Sequence, residues 1–172
     1  MSLTLHQTTV PVLVHGLRQL SHVLDKGLAH ATAQGLDPAT LVNARLAADM
    51  LPLSGQVQRA SDTAKASVQR LSQVAAPKLE DNEQTFEQLQ ARIAATIDYL
   101  LAVPAEAFEG ERDIVLKFGP LQTRFDGPGY LTEFALPNFF FHVTTAYGIL
   151  RNQGVAIGKL DYLGRIGQAD PA

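Results

Sequence analysis

The chain has 172 residues, 46% hydrophobic and 18% charged, with a formal net charge of −3. A chain of this length buries roughly 70% of its unfolded surface, so one domain over residues 1–164 with a loose tail at 165–172 is expected. Mild acidity without a Lys/Arg cluster argues against a nucleic-acid partner, and the lack of cysteine excludes a disulfide scaffold and a thiolate metal site. No apolar run approaches the ~20 residues of a membrane span, and no basic stretch with an apolar h-region opens the chain; a cytoplasmic protein without a membrane partner is expected.

Leu13, Leu17, Leu20, Leu24 and Leu28 recur at steps of three and four and predict a helix from Leu5 to about Gln34. Pro11 either opens or kinks it, and Gly35 closes it. Asp37 and Pro38 restart a helix as N-cap and first helical residue. The pattern predicts a short helix over Pro38–Met50 and a long one over Pro52–Val74, with Leu53, Val57, Ala60, Ala64, Val68 and Leu71 on its apolar face. Asp81-x-x-Gln84 reads as a capping box before a stripe of Phe86, Leu89, Ile93, Ile97 and Leu100 that ends at Pro104. The period then changes. Asp113–Phe118 and Leu121–Phe125, separated by Gly119-Pro120, predict a small hairpin, with an irregular loop as the alternative. Pro128 opens the last helix, Pro137 bends or splits it, and Val155–Gly164 is apolar enough to pack down. Four long helices predict an all-α antiparallel bundle with the hairpin or loop inserted before the last helix.

Glycine-rich phosphate loops and the His-Glu-x-x-His and Gly-x-Ser-x-Gly motifs are absent. Of the five histidines, His6, His15, His22 and His30 fall on the first helix; His15 and His22 share a face but lie about 10 Å apart, too far for one metal. His142 is different. It sits in the aromatic-rich stretch Pro137–Arg151, with Asn138 one turn before it and Ala146 one turn after. Burying an unpaired polar group costs about 1–3 kcal/mol, so His142 either bonds to another helix or contacts a ligand or metal. Gln56 is the candidate inward partner. Arg45–Asp49 and Asp62–Lys65 have the spacing of helical surface pairs worth a few tenths of a kcal/mol. Phe139, Phe140 and Phe141 point about 100° apart, so the last helix is central or meets a second subunit; a homodimer through the first and last helices is expected.

His142-x-x-x-Ala146-Tyr147-Gly148-Ile149 resembles the last-helix H-x-x-x-H-R-G-Q signature of DinB/YfiT-like proteins. Arg45–Leu53, Pro137–Arg151 and Gly154–Gly164 resemble one bacterial branch of that superfamily, a domain-of-unknown-function family, and the likeness spans nearly the whole chain. It implies a DinB-like four-helix bundle, commonly dimeric, in which a divalent metal is held by three histidines and some members are metal-dependent thiol transferases. Carried over, the three ligand positions fall on Gln56, His142 and Ala146. One imidazole and one amide oxygen make a poor site for Zn or Ni. The expectation is therefore a ligand-binding or non-catalytic homodimer without a cofactor, with a vestigial metal pocket whose candidate lining is Gln56, Asn138, His142 and Tyr147 and whose partner, where it binds one, is a small molecule. The alternative is a metal-dependent thiol transferase or hydrolase, with His22, Asp49 or Asp62 completing the ligand set.

Overall fold

The computed structural model describes residues 3–164. Helix α1 spans Leu5–Gln34, opened by a reciprocal capping box between Thr4 and Gln7 and closed by Gly35 at φ 64°. Pro11 lies inside it; in its second turn the missing N–H removes one bond without ending the helix. Asp37 caps α2 as expected, but α2 is only Pro38–Val42. The sequence from Asn43 to Pro52 is irregular, and no residue in it is buried, so no packed face holds a helix there. Arg45 accordingly bonds to the Met50 carbonyl, and the expected pairing with Asp49 is not made.

Helix α3 is Leu53–Ser72 and α4 is Phe86–Ala102. The capping box of α4 is formed by Thr85 and Gln88, not by Asp81 and Gln84, because Asp81 is drawn to Arg59 and Arg92. A 3₁₀ turn, Ala105–Phe108, leads to the hairpin β1 (Ile114–Phe118) and β2 (Leu121–Phe125), paired antiparallel from Ile114↔Phe125 to Phe118↔Leu121. Asp126 then caps α5 (Gly127–Gly129), a π-helical stretch follows over Tyr130–Ala135, and α6 runs Leu136–Asn152. The widened register ends just before Pro137, which has no N–H and whose ring would crowd an ordinary preceding turn. Helix α7, Lys159–Leu163, lies along α1, where Asp161 meets Lys26 at 2.8 Å and His22 at 3.1 Å. The expected loose tail lies outside the described residues.

Side-chain contacts fix the directions of the four long helices. Gly27 meets Phe86, and Ser21 bonds to Gln90, so α1 and α4 run oppositely. Gln56 faces His142 and Ser67 faces Tyr130, so α3 also opposes α6. Gly16 meets Phe139 and Gly27 meets Leu150, however, so α1 and α6 run the same way. Gln58 reaches Glu83, Ser61 reaches Thr96 and Val74 reaches Tyr99, so α3 and α4 are parallel as well. The expected all-antiparallel order is corrected on both of these pairs.

Parallel α3 and α4 require residues 73–85 to travel back along α3. Lys65 reaches the Pro77 carbonyl at 3.3 Å, Arg92 the Glu80 carbonyl at 2.9 Å, Arg59 pairs with Asp81, and Gln58 donates to Glu83. Arg92 also bonds to Glu83 at 2.8 Å and to Asp62 at 2.7 Å. The Asp62–Lys65 pair forms at 3.2 Å, but Lys65 is buried, so it belongs to this cluster rather than to the surface.

The core is the apolar stripes read from the sequence. Leu13, Leu17, Leu20 and Leu24 of α1 meet Val57, Ala64 and Val68 of α3, Leu89 and Ile93 of α4, and Phe139 and Ile149 of α6 in one buried cluster. Leu28 and Ile97 are only partly buried. Phe139 is buried, Phe140 half-buried and Phe141 56% exposed, as three successive helical positions require.

Candidate functional site

The opposed run of α3 and α6 sets two polar pairs side by side. Gln56 is 2% exposed. Its Nε2 donates to the Leu51 carbonyl at 3.1 Å, which turns Oε1 toward His142 Nδ1, 2.8 Å away. An amide oxygen only accepts, so Nδ1 carries the proton and Nε2 keeps its lone pair. Nε2 makes no hydrogen bond among the described residues and is not a sealed, unpartnered atom, so it reaches solvent. Burial, with the nearby Arg59 charge adding to it, holds the His142 imidazole below the usual histidine range. At neutral pH this ring is a neutral acceptor.

One turn along α6, Asn138 Nδ2 donates to Thr63 Oγ1 at 2.8 Å, and that hydroxyl donates to the Arg59 carbonyl at 2.7 Å. Asn138 and Thr63 form part of the wall of a cleft of about 570 Å³ between α3, β1 and the start of α6, which Arg59, Arg70, Lys117 and Phe134 also line. Gln56 and His142 are not part of that lining. Tyr147 is not brought to the cleft. Its ring sits edge-on to Tyr162, 5.9 Å between centroids, and its hydroxyl faces the Ile157 carbonyl, so it secures the segment after α6.

The arrangement does not suit a three-nitrogen metal centre. Gln56 Oε1 and His142 Nδ1 are bonded to each other, and buried Ala146 offers a methyl group. The candidate extra ligands are elsewhere: His22 pairs with Asp161, Asp62 with Arg92 and Lys65, and Asp49 is exposed in the irregular connection. Among the described residues no three His, Cys, Asp or Glu side chains converge.

Arg59, Arg70 and Lys117 were not expected from the sequence. A signal for two of them exists, since Arg59, Thr63, Ala66 and Arg70 recur at helical spacing beside the apolar stripe of α3. Lys117 has none. Its place depends on Arg112, which fastens the start of the hairpin to α3 by donating to the Leu71 carbonyl at 2.8 Å and to the Ala107 carbonyl at 2.8 Å.

The chain is thus mostly helical, with a small two-stranded insertion and polar pairs between α3 and α6. The crystal structure of a DinB family member protein from Shewanella denitrificans, at 1.83 Å resolution, is similar with a TM-score of 0.88 and 39% sequence identity, over 97% of this chain and 96% of that one. The model of one family, described as a domain of unknown function (DUF1993), matches residues 5–163, and the chain belongs to that family. No curated protein matches it. No helix among the described residues is long and apolar enough to cross a membrane.

Proposed function

We propose that this protein is a DinB-like four-helix bundle that binds a small organic molecule in the α3–α6 cleft, without a metal and without catalysis, as a cytoplasmic homodimer. The observation that carries the reading is the Gln56–His142 hydrogen bond at 2.8 Å. It satisfies the two polar groups that the DinB-like pattern would turn toward an ion, while Ala146 fills the third position with hydrocarbon. The neighbouring cleft supports the binding half of the reading: it combines apolar walls with a fixed amide at Asn138 and has the size of a small-molecule site. Exposed Phe141 on α6 is the apolar group that a second subunit would cover.

The deciding experiment is metal analysis of tag-free protein. Less than about one tenth of an equivalent of transition metal is expected, the level of adventitious binding. Stoichiometric Zn or Ni that is lost in His142→Ala overturns the proposal and establishes the alternative, a metal-dependent thiol transferase or hydrolase. Light scattering at micromolar concentration is expected to give the mass of a dimer, and a monomeric mass removes that part of the reading.

A further inference from the structure

The charges around the α3–α6 cleft divide into two groups. Arg59, Lys65 and Arg92 are matched by Asp62, Asp81 and Glu83, three cations against three carboxylates in one connected cluster. Arg70 and Lys117 stand outside it. Both line the cleft, from α3 and β1 respectively, and neither has a carboxylate partner among the described residues. Arg70 is held in place, because its Nη1 donates to the Tyr130 hydroxyl at 3.0 Å and its guanidinium lies 5.7 Å from that ring's centroid. Tyr130 is fully buried and is itself within 3.2 Å of the Ser67 hydroxyl, so the cation rests on a rigid base. A chain with net charge −3 thus presents two unmatched positive charges at one concave surface. Like charges brought together there repel each other, and low-dielectric walls concentrate their field on whatever enters.

Resting on the reading that this cleft takes a small molecule, we infer that its ligand is an organic anion, with a carboxylate or phosphate held by Arg70 and Lys117 and an apolar body against Val115 and Phe134. The guanidinium supplies a planar fork for either oxyanion, and the ammonium supplies a second, less directional charge. Asn138 lines the same cleft from α6 with its amide oxygen free to accept, since its Nδ2 is the atom committed to Thr63. A donor on the ligand's body is what that oxygen suits.

The test is isothermal titration with three probes of one shape, benzoate, phenyl phosphate and the neutral benzyl alcohol, at low salt and again at high salt. At least one anion is expected to bind, and more weakly at high salt. Benzoate against phenyl phosphate distinguishes a carboxylate from a phosphate site. Lys117→Gln and Arg70→Gln are each expected to weaken that anion by about fivefold or more, the size of one charge-assisted contact. Lys117 is exposed on a strand, so its variant carries the test alone if Arg70→Gln disturbs Tyr130. Benzyl alcohol binding as tightly as the anions, with no effect of either substitution, refutes the anion assignment and leaves the small-molecule reading standing. An anion that binds equally well to both variants also refutes the assignment. Binding of none of the three at millimolar concentration overturns the cleft reading as well.

Discussion

Replacing Arg92 with methionine tests whether the return of residues 73–85 along α3 depends on one buried guanidinium. The Arg92 side chain is 1% exposed and donates to Glu83 at 2.8 Å, to the Glu80 carbonyl at 2.9 Å and to Asp62 at 2.7 Å, with Asp81 at 2.9 Å. Burial alone would lower its pKa, but Glu83, Asp62 and Asp81 together raise it. These contacts are unequal. Glu83 is 9% exposed, so losing its partner strands a nearly buried carboxylate. Asp81 is 38% exposed, and solvent screens its share to a few tenths of a kcal/mol. One donor of its own offsets part of the gain, because Arg92 Nε is buried with no acceptor among the described residues. Breaking a buried pair costs about 3–5 kcal/mol, and the unpartnered Nε places this one near the lower end.

The assay is urea unfolding of wild type and Arg92→Met at several pH values. A loss of about 3 kcal/mol at pH 7 is expected. Burial raises the Glu83 carboxyl, but bonds from Arg92 and Gln58 outweigh it and hold the group below the usual range. A lowered folded pKa gives stability that is present above the unfolded value and lost as pH falls through the folded one. Methionine removes most of that depression, so the gap between the two proteins is expected to narrow from about pH 5 downward. A loss under about 1 kcal/mol, or a gap that does not change with pH, refutes the claim that this guanidinium pins the crossover.

Wild type is expected to lose stability as pH falls below about 6.5, because the His142 pKa is lowered in the fold and the unfolded chain takes up the proton first; His142→Gln flattens that slope in thermal unfolding, and an unchanged slope assigns it to other groups. Gly16→Ala is expected to cost about 1–3 kcal/mol, since its Cβ would stand 2.5 Å from buried Phe139. Gly148→Ala, whose Cβ meets nothing nearer than 3.9 Å, is expected to gain about 0.5–1 kcal/mol by helix propensity, and equal effects at the two sites would remove the close approach of α1 and α6. The double variant Gln56→His with Ala146→His adds two imidazoles to that of His142 and is expected to raise the melting temperature in zinc, whereas no zinc response would show that these positions do not converge.

Periodicity made the helices legible because each long one buries a single stripe, and the leucines of α1 and the Val57–Leu71 face of α3 lie where spacing puts them. Boundaries were legible where a cap is local, as at Asp37, Gly35 and the Gly119-Pro120 turn. They were misread where a distant charge competes. Asp81 has the residue type and spacing of a cap, yet Arg59 and Arg92 hold it, and those arginines come from other elements. Helix direction was illegible for a related reason: a stripe records which face is buried and says nothing about which way its neighbour runs. Contacts between the two elements, Gln58 with Glu83, Ser61 with Thr96 and Tyr99 with Val74, are what show that α3 and α4 are parallel.

The same distinction explains what could be read of the site. Asn138 and His142 were visible because they break an apolar pattern within one helix, and an inward Gln56 was the natural partner for them. Arg70 and Lys117 break no pattern, since a cation on a helix or strand is ordinary until a second element is laid beside it. The polar pairs on α3 and α6 also bear on the energetics of folding. A cluster of three buried imidazoles left empty would hold unpaired donors or acceptors at about 1–3 kcal/mol apiece. Here Gln56 Oε1 accepts from His142, the Leu51 carbonyl takes one of the two Gln56 amide hydrogens, and Ala146 has no polar group to satisfy. The pairing thus satisfies both buried polar side chains within the chain and leaves one polar atom, His142 Nε2, facing solvent.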